Sequence, residues 1–143
     1  MDLPCRLICT FAAFLLFATA PRAFADEALT TRNKAIVTDF YTAVLIGRNV
    51  DAAPRFLSAE YLQHSGDMAS GRKAFMDVFR ANFAQKPPGD YKREILRVVG
   101  DNDIVIIFNR QSGTDAKGKH HLVLQFDMFR VQNGVIVEHW DAD

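Results

Sequence analysis

Cysteine, tryptophan and runs of like charge are scarce in this sequence. Both cysteines, Cys5 and Cys9, lie among the first nine residues, so the rest of the chain can form no disulfide and offers no thiol. Lys and Arg number 17 against 17 Asp and Glu, scattered without a basic block, which argues against a nucleic-acid partner. The four histidines, His64, His120, His121 and His139, show neither His-x-His nor helical His-x3-His spacing. His120 and His121 are adjacent on a predicted strand and point apart, so the spacing argues against a metal site. There is also no repeat, low-complexity tract or interdomain linker.

One apolar run is present, Leu7 to Ala20. It is too short to cross a bilayer comfortably, and Ala23-Phe24-Ala25 behind it has the small-x-small form of a signal peptidase site. Residues 1–25 therefore read as a secretory signal cleaved after Ala25, with a periplasmic or extracellular destination and no membrane association afterwards. Cys9 is poorly placed for lipid attachment. The remaining segment, 26–143, loses only Arg6, Arg22 and Asp2 among its charges and stays near neutrality. It is long enough for one domain, which its core alone must stabilise.

From Thr30 to Arg48, Ile36, Val37, Phe40, Tyr41, Val44 and Leu45 recur at helical spacing, and Gly47 is a stop signal. Asp51 is placed to cap a short second helix reaching Leu57, with Pro54 in its first turn. Ser58 to His64 reads as extended. A loop follows to Gly71, and Ser70 is placed to cap a third helix running to Lys86, ended by Pro87-Pro88-Gly89. The period then falls to two: Tyr91 to Val99, Ile104 to Arg110, and His120 onward predict an antiparallel meander. Helices first and strands after predict an α+β domain with helices on one sheet face.

The closing segment Phe126 to Asp143 carries the candidate chemistry. Asn133-Gly134 between two alternating runs is the strongest local hairpin signal. Alternation places Val123, Gln125, Asp127 and Phe129 on one face with His139 and Asp141, and Leu122, Leu124, Phe126 and Met128 on the other. Acids and an imidazole among apolar neighbours suit a pocket wall better than a core. The opposite face, with Ile136 and Trp140 included, is apolar enough to predict a homodimer joined sheet to sheet. If Ile106, Phe108 and Arg110 line the pocket, Arg110 pairs with Asp127 or holds a substrate carboxylate. Phe75, Phe79, Phe83, Phe108 and Phe129 serve as core, as aromatic pocket wall, or as both.

Tyr61-Leu-Gln-His64, Gly71 opening a helix, Gly100-Asp-Asn-Asp-Ile-Val and Phe126 to Asp141 together resemble the SnoaL-like polyketide cyclase family. The nearest subgroup is that of predicted SnoaL-like aldol-condensation enzymes, within the nuclear-transport-factor-2-like superfamily. The resemblance implies a cone-shaped barrel, a curved antiparallel sheet wrapped around about three helices, with a deep hydrophobic cavity and no cofactor. It also extends to limonene epoxide hydrolases, where Tyr61 and Gln63 match a Tyr-x-Asn pair with Gln in place of Asn. In both groups the acid or base near the end of the last strand matches Asp141. Phe108 stands where the subgroup usually has His, and Arg110 where the hydrolases have Asp, so a hydrolase triad is incomplete.

An apolar pocket disfavours the charged form of a carboxylate, which suits Asp141 to exchanging protons near neutral pH. On this reading Asp141 shuttles a proton on a small apolar carbonyl compound, His139 orients it or shares the proton, and Asp127 assists. Tyr61, Gln63, Gln125, Phe79, Phe108 and Arg110 bind the substrate, with His64 a weaker member because its parity opposes that of Tyr61. The competing expectation is a non-catalytic module of the same fold, holding a small ligand in the periplasm or serving as a dimeric interaction domain.

Overall fold

The computed structural model describes residues 21–64, 66 and 68–141. The expected signal lies outside the described residues as far as residue 20, and its last five residues begin the first helix.

Helix α1 (Pro21–Phe40) starts earlier than the apolar stripe predicts and buries Asn33, Val37 and Phe40 along one side. Its last turns, Tyr41–Ile46, widen into a π-helix, and Gly47 donates its N–H five residues back to Thr42 O at 2.8 Å. Widening lets Tyr41, Val44 and Leu45 all reach the core. The chain stops at Gly47 as expected. A 3₁₀ turn, Val50–Arg55, replaces the expected second α-helix, and Asp51 does not cap it but pairs with Arg80 at 2.8 Å. Strand β1 (Leu57–Gln63) leads to α2 (Arg72–Ala84). Ser70 makes no cap there; its hydroxyl accepts the Gln63 N–H at 3.0 Å, and Gly71, at φ 102°, turns the chain into the helix.

Strands β2 (Lys92–Asp101), β3 (Ile104–Thr114), β4 (His120–Gln132) and β5 (Val135–Asp141) form the antiparallel meander, with Asn133 and Gly134 both at positive φ in the last turn. The sheet order is β1-β5-β4-β3-β2. The pairing of β1 with β5 is parallel, a departure from the expected all-antiparallel sheet, made possible because α2 and the meander intervene between the two strands.

The core lies between α1, α2 and the inner sheet face, with Phe40 in contact with Phe56, Phe75 and Phe129. α1 presses closely on β2 at Gly100, where a Cβ would stand 2.8 Å from Lys34 Cγ. On the outer face Leu122, Leu124 and Phe126 are more than half exposed, and Phe126 stacks on Phe108 at 4.6 Å. Ile136, expected on that face, is completely buried instead. A register shift lies between the pairs Arg130–Glu138 and Val131–Ile136. That bulge reverses the alternation, so Ile136 and His139 both point inward.

Candidate active site

Sheet register brings the site together. Across β4 and β5, Asp127 lies opposite Asp141 and Phe129 opposite His139; across β3 and β4, Ile107 faces Asp127 and Asn109 faces Gln125. β1 sets Gln63 beside His139. The π-helical end of α1 contributes Tyr41, and α2 contributes Phe75 and Phe79. These side chains, with Tyr61 and Arg93, line a cavity of about 270 Å³.

Asp127 is 6% exposed and receives hydrogen bonds from several directions. Its Oδ2 accepts from the Tyr41 hydroxyl at 2.9 Å and from Asn109 Nδ2 at 2.8 Å. Its Oδ1 accepts from Gln125 Nε2 at 3.3 Å and stands 3.3 Å from His139 Nε2. Fixed donors therefore occupy both oxygens, and the carboxylate serves as an acceptor that holds His139 in place. Burial, reinforced by the Asp127 charge, pushes the Tyr41 phenol far above its ordinary range and keeps it protonated as a donor.

Gln63 links the other side of the imidazole to Tyr61. Its Oε1 accepts the Tyr61 hydroxyl at 2.6 Å and lies 3.1 Å from His139 Nδ1. With an oxygen there, His139 Nδ1 donates to it while Nε2 faces Asp127. Turning the amide over presents N–H groups to Tyr61 and Nδ1 instead, and the Tyr61 proton is released toward the cavity. Burial first, then the charges of Asp141 and Asp127, push the Tyr61 phenol far above its ordinary range, so it remains a hydrogen-bond donor.

Asp141 is half-buried in the cavity wall, with one oxygen 3.5 Å from Gln125 Nε2. Both carboxylates line the cavity, but they are buried to different degrees: Asp127 is buried among its hydrogen-bond partners, and Asp141 is half-buried. Ligand atoms of Asp127, His139 and Asp141 all lie within 4.8 Å of one another, the one such group among the described residues. The donors already directed at Asp127 suit an anion's neighbourhood, and a cation would have to displace them.

Seven of the sequence-predicted residues converge here: Tyr61, Gln63, Phe79, Gln125, Asp127, His139 and Asp141. Three do not. Phe108 and Arg110 point to the outer face, because the β3–β4 register turns Ile107 and Asn109 inward; Arg110 pairs with Glu94 at 2.7 Å rather than with Asp127. β3 carries apolar residues at both parities, so hydrophobicity could not choose between them. His64 lies past the end of β1, stacked on Trp140 at 4.9 Å and 2.8 Å from Glu138. Tyr41, Asn109 and Arg93 were missed. Tyr41 belongs to an apolar helical stripe, where its hydroxyl gives no separate signal; Asn109, an amide inside an otherwise apolar run, was the one available clue.

Residues 35–143 match the family model described as SnoaL-like polyketide cyclase. Among solved structures, a candidate SnoaL-like polyketide cyclase from Jannaschia sp. CCS1 superposes with a TM-score of 0.67 at 14% identity, covering 80% of this chain and 86% of that one. TsrD from Streptomyces laurentii gives 0.61 at 18% identity over 82% and 89%. An LEH-like epoxide hydrolase from M. tuberculosis gives 0.61 at 16% over 78% and 82%. At these identities the likeness is one of fold. No curated protein matches the chain significantly.

Proposed function

The chain belongs to the SnoaL-like polyketide cyclase family, and from that premise we propose that it is an exported acid–base enzyme that moves a proton next to a carbonyl without a cofactor. The reaction type is that of aldol, cyclase, isomerase or lyase chemistry. Asp141 takes the proton from the carbon beside the carbonyl, and the C–H electron pair passes to the carbonyl oxygen as an enolate. With the Gln63 amide turned so that its N–H faces the Tyr61 oxygen, Tyr61 donates its hydroxyl hydrogen to the carbonyl oxygen, where charge develops. The proton on Asp141 is then returned to a different carbon in isomerisation or, when the enolate carbon attacks a second carbonyl to form a C–C bond, to the alkoxide oxygen that the attack leaves. His139, fixed by Asp127, sets the Gln63 amide and through it the direction of the Tyr61 hydroxyl.

What carries this reading is a pair of facing carboxylates in one cavity wall, Asp127 buried among four side-chain contacts and Asp141 only half-buried, beside a phenol that keeps its proton. Phe108, which stands where the resembled subgroup usually has His, lies outside this site and stacks on Phe126.

The test needs no knowledge of the natural substrate. In heavy water, wild-type protein accelerates deuterium uptake at the carbons flanking the carbonyl of 2-tetralone, followed by NMR. Asp141→Asn lowers that rate by about 10²–10⁴-fold, and Tyr61→Phe by about 10²-fold, with both variants folded by circular dichroism. Undiminished exchange in Asp141→Asn would remove it from the mechanism.

A further inference from the structure

The inner face of the sheet continues past the catalytic cavity. Beyond the Asn109–Gln125 pair, the same ladder places Gln111 opposite Val123 and Gly113 opposite His121. These four residues, with Tyr91 and Pro88, line a second hollow of about 180 Å³. Gln111, Gly113, His121 and Val123 share the parity of Asp127, and Ser112 and Asp115 complete the lining where the strands end in the β3–β4 turn.

Two glutamines separate the hollows. Gln111 Nε2 donates to Gln125 Oε1 at 3.0 Å, and Gln125 Nε2 lies 3.3 Å from Asp127 and 3.5 Å from Asp141. The Tyr91 hydroxyl donates to Gln111 Oε1 at 3.2 Å and closes the far end of this amide chain. Arg93, opposite Gln111 on β2, also borders the first cavity and stands at the junction. The second hollow has an apolar floor of Val123 and Gly113, and a polar rim where His121 meets Asp115 at 2.8 Å.

The first cavity alone falls just below the volume usual for a small-molecule site, roughly 300–1,000 Å³; a ligand that displaced the Gln111–Gln125 contact would gain the second hollow as well. We propose that the second hollow is the distal subsite of the same binding site, taking the apolar far end of an elongated ligand whose carbonyl reaches Asp141. Asp141 stands level with Asp127, and Val123 is four residues along β4, so the two ends lie about 13 Å apart. That length fits an extended aryl ketone, and a single ring would occupy the first cavity only. This inference rests on the carbonyl reading above, but its test measures binding and not turnover.

Equilibrium dialysis of the wild-type chain against acetophenone and 4-acetylbiphenyl separates the cases. The wild type binds 4-acetylbiphenyl more tightly than acetophenone. Val123→Trp fills the distal hollow from a position that is half exposed, so the fold tolerates it. It weakens 4-acetylbiphenyl by at least about tenfold and changes acetophenone by less than about twofold. Tyr91→Ala, which removes the opposite wall, moves the two ligands in the same selective way. Equal affinities in wild type and Val123→Trp, or equal losses for both ketones, overturn the subsite and leave the carbonyl reading standing. Failure of both ketones to bind the wild type overturns both.

Discussion

Asp127 shows how a single acid can be buried without becoming the reactive group. Donors from α1, β3, β4 and β5 meet at its two oxygens, so the residue joins four elements as well as orienting His139. Asp127→Asn replaces an acceptor by an amide whose N–H groups face donors already in place, and each buried group left unpaired costs about 1–3 kcal/mol. The expected outcome is a loss of about 2–4 kcal/mol in urea unfolding, with deuterium exchange falling as His139 loses its anchor. A variant as stable as wild type would show that these contacts are not what holds the site. The acid itself was legible in sequence because its parity matched His139 and Asp141. Of its partners, Gln125 and His139 were legible by the same parity; Tyr41 and Asn109 were not, since they arrive from elements whose facing depends on tertiary register.

The β1–β5 pair depends on charge at its outer edge. Glu138 Oε1 lies 2.8 Å from His64 Nε2, and its Oε2 accepts from Arg130 Nε at 2.8 Å. The hydrogen bond from His64 first, then Arg130, holds the Glu138 carboxyl below its ordinary range. A depressed carboxyl contributes stability that is fully present above its unfolded value, about 4.3, and is lost as pH falls through the lower folded value. Glu138→Gln should therefore melt about 2–4 °C below wild type at neutral pH, and the two melting temperatures should converge once the pH falls below the lowered folded value. A difference that stays constant through that fall would mean the carboxylate charge is not the cause. These elements also mark where sequence reading stopped short. The Asn133-Gly134 turn fixed the hairpin and the inward face of β4 followed from alternation. The bulge that reverses β5 at Ile136, and the parallel docking of β1, arise from packing against Phe56 and Leu57 and have no local signal.

The molecule as a whole has an imbalance between its two sheet faces. Around the core the inner face is covered by α1 and α2, whereas Leu122, Leu124 and Phe126 on the outer face stand 56%, 54% and 57% exposed. Four antiparallel strands of this length present a surface on the order of 600 Å², close to the roughly 800 Å² that each partner of a stable complex buries. Ion pairs flank the apolar run on two sides, Arg130 with Glu138 and Asp103 at one and Arg110 with Glu94 beside Leu124 at the other, an apolar strip with polar neighbours as at an interface. We propose a homodimer joined through this face. Sedimentation should give twice the chain mass at micromolar concentration, and Phe126→Glu, which places a charge at the patch centre, should return the chain to monomer while leaving the melting transition cooperative. Because Phe126 is on the opposite side of the sheet from Asp141, ketone binding by that monomer should persist. A wild-type chain that sediments as a monomer would leave the outer face without this partner.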